Sequence, residues 1–426
     1  MVVPSEPTSW AEPIPREPIA TPVGKIDAVQ GLRAIAVLLV VWTHSIVAAE
    51  YVSATKQGAF FHLKSFGACG LDLFFVISGF IVSLVATRAV ARNQRSARTF
   101  LSRRFTRIFP LYWILTVVVI LEAELGSHPI LWHRVPWLPT LFLLPGWHYP
   151  VPPLVLSLGW SLLFEIYFYL VLALWMLATP RHLARNSMIF LGAMVALGAI
   201  VGLHHPLLVI WSNPVALEFL FGCLIAQMYM RVVDAARAPS SSLSSTSPIA
   251  RSMGPWLAGL GAIALIATVF TGYGNASEAG SILAGLDGWL RVGVWGVPSA
   301  LLVLGAVLWS PGMVSLPARL LVFLGDASYS IYLCTNPSRS MVEHFWRYFG
   351  RWGGDAGVVL CLMVCTAVGV LCYLAVERPL MRFFHNWYKQ LPFSAGGERV
   401  VSTSLPPSIQ RDNAHHPKPT EKRTTK

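Results

Sequence analysis

Apolar runs of about twenty residues recur along this chain of 426 residues. Each run has about the length that an α-helix needs to cross the hydrocarbon core of a bilayer. Ten such runs lie at 31–49, 68–87, 107–125, 154–178, 187–204, 214–231, 254–272, 290–309, 323–345 and 356–376. Charged residues make up 12% of the chain, about half of their share in soluble domains. We therefore predict an all-α polytopic integral membrane protein with about ten transmembrane helices.

Lysine and arginine residues are concentrated on one side of the predicted spans. The connection after the second run holds Arg88, Arg92, Arg95, Arg98, Arg103, Arg104 and Arg107. Positively charged connections tend to stay in the cytoplasm, so both termini are predicted to be cytoplasmic, which requires an even number of spans. This topology accounts for the formal net charge of +12 through contact with lipid head groups, and we predict no binding to nucleic acid.

The two ends of the chain differ from its apolar body. Residues 1–25 and 389–426 are rich in proline and polar residues, and we predict that both are disordered and cytoplasmic. Residues 1–25 lack the short apolar core of a cleavable signal, so the first span is expected to remain as an anchor. The predicted organisation is one transmembrane domain at 26–388 between two flexible ends.

The outer connection 126–153 and the six cysteines are two further features with a possible bearing on function. The outer connection 126–153 contains Trp132, Trp137 and Trp147, which either pack into the membrane interface or form a lid or sugar-stacking surface over a site. The six cysteines lie in or beside the spans without the spacing of metal ligands, so no metal is predicted.

The first span contains an ionisable side chain, His44, which is a candidate for function because such groups are rare inside a bilayer. Arg33 lies eleven residues before it. In a helix these two side chains share one face and lie about 16 Å apart along the axis. A cation near one end and an imidazole deep in the span indicate a path for a long, charged substrate. The alternative is a histidine that is merely hydrogen-bonded between packed helices.

Three carboxylates lie in other predicted spans, at Asp72, Glu165 and Glu218. Counting from the span ends places all three in the middle-to-outer half of the bilayer, as for His44. A carboxylate beside an imidazole can set its tautomer and stabilise its protonated form, as general-base catalysis requires. The same groups could relay protons in a transporter, pair with a buried arginine, or favour a helix N-terminus. The residues alone leave these alternatives open.

Arg103, Arg104 and Arg107 form a second cluster at the cytoplasmic start of the third run. Guanidinium groups bind phosphate through paired hydrogen bonds, so the cluster is suited to a polyphosphate. Anchoring of the span at the cytoplasmic surface is the alternative interpretation.

Seven segments, in order between residues 25 and 385, resemble the acyltransferase-3 family of bacterial membrane O-acyltransferases. They are Asp27–Gly31 with Arg33 and His44, then Gly70–Phe80, Arg103–Tyr112, Trp160–Tyr169, Glu218–Gly222, Leu324–Leu333 and Glu377–Pro379. The spacing of Arg33 and His44 alone would be weak evidence. Seven segments in order make the resemblance specific.

The resemblance implies an O-acyltransferase of the bacterial inner membrane. It would move an acyl group, commonly acetyl from acetyl-CoA, to a hydroxyl of a cell-surface polysaccharide, a lipid-linked sugar or a similar acceptor. The expected catalytic residues are His44, with His44 as the base, Glu165 and Asp72. The expected acyl-CoA contacts are Arg33, Arg104, Arg107 and Tyr112, and the expected substrate contacts are Trp160, Ser161, Glu218 and Tyr329.

The chain departs from the family pattern after the segment that ends at Leu333. Relatives often carry a histidine near position 335, where this chain has Cys334, Thr335 and Asn336. No hydrolase-like domain follows the tenth run, so a stand-alone transferase is expected, and the residues do not indicate an oligomeric state. The alternatives are a secondary transporter that relays protons through His44 and a non-enzymatic membrane component of glycan export. Consumption of acyl-CoA distinguishes the enzyme from both.

Overall fold

A computed structural model describes residues 26–52, 58, 60, 63–92, 96–125, 135–145, 154–201, 205–237, 246–271, 288–309, 315–349 and 354–390. All regular secondary structure in these ranges is helical. The predictions for 1–25, for 391–426 and for most of the connection 126–153 fall outside the described residues. The chain up to Met381 forms one compact unit, and Arg382–Lys426 form a second, of which the described part is the end of one helix.

The helices are numbered here in chain order. The first seven are α1 (Asp27–Val52), α2 (Cys69–Ala91), α3 (Ala97–Leu125), α4 (Trp137–Phe142), α5 (Trp160–Ala178), α6 (Leu183–Val201) and α7 (Pro206–Trp211). The next seven are α8 (Ala216–Arg237), α9 (Thr246–Ala267), α10 (Gly288–Trp309), α11 (Leu316–Asp326), α12 (Ser328–Phe349), α13 (Asp355–Cys372) and α14 (Arg378–Gln390). Helix α10 contains a π-helical turn at Val292–Gly296, and a second one at Tyr373–Glu377 joins α13 to α14.

Nine helices in the described ranges are long and apolar enough to cross a membrane, and they match nine of the ten predicted runs. The other run, 323–345, corresponds mainly to α12, whose C-terminal half contains Asn336, Arg339 and Glu343. These polar residues lower the mean hydropathy of α12, so it is not one of the nine helices. Its 22 residues still extend about 33 Å, which is enough to cross the bilayer core. The protein is an all-α, multi-pass membrane protein, as the apolar runs predicted.

The spans differ in burial because some are surrounded by other helices and some form the outer surface. Helix α2 lies inside the bundle, with 72% of its most apolar window buried. Helix α3 exposes Ile114, Val117 and Leu121, as expected of a surface that meets lipid chains as apolar as leucine. The site described below lies where α2 meets α1, α3, α5 and α12.

Helices α2 and α8 approach each other closely at two glycines. A Cβ atom added to Gly222 would lie 2.3 Å from the carbonyl oxygen of Val76, and one added to Gly79 would lie 2.3 Å from that of Phe219. Small residues of this kind allow membrane helices to pack backbone against backbone. The close approach holds Gly79 and the neighbouring cavity wall of α2 against α8.

Replacement of Gly222 by valine is expected to lower the free energy of unfolding by about 1–3 kcal/mol, because the helices must separate to make room. Thermal unfolding in detergent would measure the change. Gly259→Ala is the matched control, since no atom lies within 4 Å of the added Cβ and alanine favours a helix by about 1 kcal/mol. Equal unfolding midpoints for the two variants would contradict the close packing.

Helices α1 and α12 pack side by side in the same direction, which fixes the depth of the candidate residues. The Nη2 of Arg33 donates to the Oγ of Ser328 at 2.8 Å, across an offset of 295 residues. The same offset brings His44 level with Arg339, and this guanidinium acts electrostatically on the imidazole. Helix α5 runs the opposite way, and its Ser161 Oγ lies 2.7 Å from the hydroxyl of Tyr332.

Candidate active site

A cavity of about 170 Å³ lies between α1, α2, α3, α5 and α12. Six of the polar side chains that line it are Arg33, Arg104, Arg107, Ser161, Glu165 and Tyr329. All six were predicted site residues, and they come from four helices that are distant in the sequence. The cavity is therefore the point at which the tertiary structure brings together three of the four predicted acyl-CoA contacts, Arg33, Arg104 and Arg107.

One end of the cavity has a cationic wall, because three guanidinium groups and one carboxylate line it. Two further carboxylates, Glu377 and Asp326, also lie close enough to Arg33 to act on it electrostatically. Arg104 and Arg107 are three residues apart on α3 and so share one face of the helix, while Arg33 approaches from α1. The guanidinium of Arg104 lies over the ring of Tyr169 at 5.6 Å. Its Nε atom is buried and has no hydrogen-bond partner among the described residues. Such a donor is free to bind a ligand anion that enters the cavity.

Glu165 is the carboxylate at this end of the cavity. It accepts a hydrogen bond from the hydroxyl of Tyr169, one turn further along α5, and its Oε1 lies 3.5 Å from the Oγ of Ser78 on α2. It is also close enough to Arg33 to interact with it electrostatically. Glu165 is therefore level with the arginines and belongs to the charged end of the cavity.

The other end of the cavity is uncharged, and the side chains that line it contact one another. Tyr332 donates to the carbonyl oxygen of Leu158 at 3.0 Å, and its ring meets that of Phe74 edge to face at 6.3 Å. Ser161 completes this boundary through its contact with the same hydroxyl. Tyr329 lies nearer the arginines, where its hydroxyl donates to the carbonyl oxygen of Ile108 at 2.7 Å.

His44 does not line the cavity. Tyr332 at the boundary is level with Val37 of α1, since the two positions differ by the same 295 residues. His44 lies seven residues further along α1, which is about 10 Å beyond the boundary. The structure thus places His44 on the face of α1 that holds Arg33, as predicted, but outside the cavity in which Arg33 lies.

Asp72 and Glu218 also lie outside the cavity, where they form a separate buried cluster with Arg291 of α10. The Oδ2 of Asp72 accepts a hydrogen bond from Arg291 Nη2 at 2.7 Å, and these two side chains are 0% and 1% exposed. Glu218 is buried beside Asp72, and Arg291 stacks on the ring of Trp295 at 4.8 Å. Of the alternatives that the sequence left open, pairing with a buried arginine describes Asp72. Glu218 lies beside it, so the structure places neither carboxylate in the cavity with Glu165.

Tyr112 and Trp160 are likewise absent from the cavity wall. The hydroxyl of Tyr112 donates to the carbonyl oxygen of Thr140 at 2.8 Å, so this buried side chain anchors α4 to α3. Trp160 packs edge to face against Phe164 at 6.2 Å. The structure thus places neither Tyr112, the expected acyl-CoA contact, nor Trp160, the expected substrate contact, in the cavity wall, and both side chains pack against neighbouring helices or rings.

Five polar residues of the cavity wall were not among the predicted site residues. They are Gln30, Ser78, Tyr169, Ser328 and Tyr332. Tyr169 could have been found from spacing, because Ser161, Glu165 and Tyr169 follow one another at four-residue intervals and so share one face of a helix. Ser78, Ser328 and Tyr332 lie within the segments that carried the family resemblance, but nothing in those segments indicates which members face inward.

The described residues thus form a multi-pass membrane protein with a cationic cavity inside its helix bundle. A family model described as an acyltransferase domain matches residues 26–376, which shows that the chain belongs to the acyltransferase-3 family. The protein is accordingly a membrane acyltransferase.

Curated relatives agree with this membership. The exopolysaccharide production protein ExoZ of Rhizobium meliloti is 32% identical over 348 residues, which cover 78% of this chain and 93% of the relative. The acyltransferase MdmB of Streptomyces mycarofaciens is 30% identical over 36% of this chain and 40% of its own length. The peptidoglycan O-acetyltransferase OatA of Listeria monocytogenes is 24% identical over 47% of this chain and 33% of its own length. No solved structure matches the chain.

Proposed function

We propose that this protein is an O-acetyltransferase that moves an acetyl group from cytoplasmic acetyl-CoA to a hydroxyl of a polysaccharide or a lipid-linked sugar. The observation that supports it most directly is the cationic end of the cavity, formed by Arg33, Arg104 and Arg107. Three guanidinium groups in a desolvated site are suited to the phosphates of the CoA nucleotide. Tyr169 stacks against Arg104, and Glu165 lies close enough to Arg33 to interact with it electrostatically.

The rest of the cavity suits the arm that carries the thioester. Phe74, Ile77 and Leu162 give this part an apolar wall, which excludes water from the reacting group. The distance from Arg33 to His44 along α1 is about 16 Å. A donor held by its phosphates at the arginines would extend along this face towards the outer half of the bilayer.

His44 is the proposed base. It takes the proton of the acceptor hydroxyl while the oxygen attacks the thioester carbon. The carbon–sulfur bond then breaks, the acyl group remains on the oxygen as an ester, and the proton passes to the departing thiolate. The proposal requires the donor arm to pass Phe74 and Tyr332, which line the cavity and whose rings meet edge to face.

The relatives support a glycan acceptor. The names of ExoZ and OatA refer to exopolysaccharide production and to peptidoglycan O-acetylation. Together with the basic connections, they support placement in a bacterial inner membrane with both termini in the cytoplasm. The acceptor would then reach His44 from the outer side.

A double replacement, Arg104→Gln with Arg107→Gln, is expected to raise the KM for acetyl-CoA by at least tenfold. Each charge-assisted hydrogen bond to phosphate contributes about 1.5–3 kcal/mol, and glutamine cannot supply the charge. The measurement is transfer of labelled acetyl from acetyl-CoA to deacylated glycan by the purified protein in detergent.

Arg319→Gln is the matched control for that experiment, because Arg319 is exposed on α11 and does not line the cavity. Its KM for acetyl-CoA should remain within twofold of the wild-type value. An active wild-type protein whose donor KM is unchanged in the double variant would contradict the donor site. Absence of label transfer from acyl-CoA to any glycan or lipid fraction would contradict the proposed activity itself.

A further inference from the structure

The outer half of α12 is unusually polar for a membrane span, and the cavity does not use it. Asn336, Arg339 and Glu343 lie there within eight residues. Charged side chains inside a membrane span are unfavourable and almost always face the bundle interior or a water-filled space. The position of these three residues relative to the cavity therefore indicates which ligand they could contact.

They continue the stripe of α12 that lines the cavity. Arg339 follows Ser328 by eleven residues, and Glu343 follows Tyr332 by eleven. Eleven residues are three turns plus about 20°, so each outer residue lies almost directly beyond an inner one. Because Ser328 and Tyr332 line the cavity, the stripe forms one wall whose inner half faces the donor space and whose outer half lies at the level of His44.

The contacts within this outer wall leave one buried acceptor, the Oδ1 of Asn336, available to a ligand. The Nε of Arg339 lies 3.4 Å from the Oε1 of Glu343, and the two side chains are 27% and 15% exposed. Asn336 donates from Nδ2 to the Oγ of Ser157 on the facing turn before α5. Its Oδ1 atom is buried without a hydrogen-bond partner in the described part of the chain. A buried carbonyl oxygen is favourable only when a donor reaches it.

The chemistry of the wall fits a neutral, hydroxyl-rich ligand. Arg339 and Glu343 balance each other's charge, and together with Asn336 they offer both donors and acceptors, as a sugar ring with several hydroxyls requires. A sugar acid would bring a negative charge close to Glu343, and the arginine that could neutralise it is already paired. The ligand class favoured by the wall is thus an uncharged sugar.

We propose that Asn336, Arg339 and Glu343 form the acceptor subsite, which binds an uncharged sugar ring and directs one of its hydroxyls to His44. The inference rests on the proposed function, since it assigns the acceptor side of the same transfer. Arg339 lies level with His44 by the same 295-residue offset that joins Arg33 to Ser328, so it is the residue of this subsite that selects which hydroxyl meets the imidazole.

Arg339→Gln is expected to raise the KM for the acceptor at least tenfold and to leave the KM for acetyl-CoA within twofold. The assay uses the purified full-length protein in detergent, labelled acetyl-CoA, and deacylated exopolysaccharide from the organism that carries the gene. Arg319→Gln again serves as the control and should change neither constant. Asn336→Leu, which keeps the branched shape of the side chain and removes its hydrogen-bonding groups, should raise the acceptor KM as well and provides the test if Arg339→Gln does not fold.

The ligand class is tested in the same assay with two competitors, a neutral glucose oligosaccharide and a glucuronic acid oligosaccharide of equal length. Inhibition by the neutral compound, competitive with the acceptor, supports the subsite. Equal or stronger inhibition by the acid overturns the proposed class, and an unchanged acceptor KM in folded Arg339→Gln and Asn336→Leu overturns the subsite. Wild-type protein without any transfer would instead overturn the proposed function, so the two failures can be told apart.

Discussion

Replacement of His44 by glutamine is expected to lower the rate of acyl transfer by about two to four orders of magnitude, the usual contribution of a general base. Glutamine is similar in size and forms hydrogen bonds, but it cannot accept a proton from the attacking hydroxyl. The KM for acetyl-CoA should stay within twofold, because His44 lies beyond the boundary of the cavity that holds the donor. Single-turnover transfer of labelled acetyl at saturating acceptor would measure the rate.

His182→Gln is the matched control, since His182 is exposed in a 3₁₀ turn before α6 and should leave the rate unchanged. A His44→Gln rate above one tenth of the wild-type value would contradict the assignment of the base. Omitting the acceptor separates two mechanisms for the same residue. Label retained on the wild-type protein, and absent from His44→Gln, would indicate an acyl-histidine intermediate in place of direct transfer.

Replacement of Arg291 by methionine is expected to lower the free energy of unfolding by about 3–5 kcal/mol, because it leaves the buried carboxylate of Asp72 without its cation. Arg291 also donates to the carbonyl oxygen of Ala68 at 3.1 Å, which helps to hold the start of α2 against α10. Unfolding by SDS in mixed micelles, followed by circular dichroism, would measure the loss.

The double variant Asp72→Leu with Arg291→Met should recover much of this stability, since a buried ion pair replaced by apolar residues is often no less stable than the original pair. Arg319→Met, at an exposed position on α11, is the control and should change stability by less than about 0.5 kcal/mol. A loss below about 1 kcal/mol for Arg291→Met would show that the cluster is not the support between α2 and α10 that its burial indicates. The same outcome would reopen the question of a catalytic role for Asp72.

Local periodicity accounts for the predictions that the structure confirmed. The apolar runs predicted the spans because a bilayer admits few structures besides an apolar helix of that length. The eleven-residue spacing placed Arg33 and His44 on one face because helical geometry depends only on neighbours in the chain. The same reasoning, applied to Glu165 and Tyr169, would have added one more residue to the cavity wall.

Contacts between distant segments account for what the sequence could not predict. Asp72 and Arg291 are 219 residues apart, and no local pattern shows that a carboxylate predicted near His44 will instead meet a guanidinium on α10. In the sequence, the polar half of α12 only interrupts an apolar run. The structure shows that this half packs parallel to α1, at the level of His44. Tyr112 lies in the same sequence segment as Arg104 and Arg107. Its hydroxyl nevertheless donates to the carbonyl oxygen of Thr140 on α4, 28 residues further along the chain.

The amino-acid sequence by itself determined that this protein is a bundle of membrane helices, and it determined which residues share a face within each helix. Both properties follow from solvation and from the fixed geometry of a single helix. Only the tertiary structure decided which faces meet. That choice depends on side-chain packing and on the pairing of buried charges between helices, and it places the arginines in one cavity and His44 about 10 Å beyond its boundary.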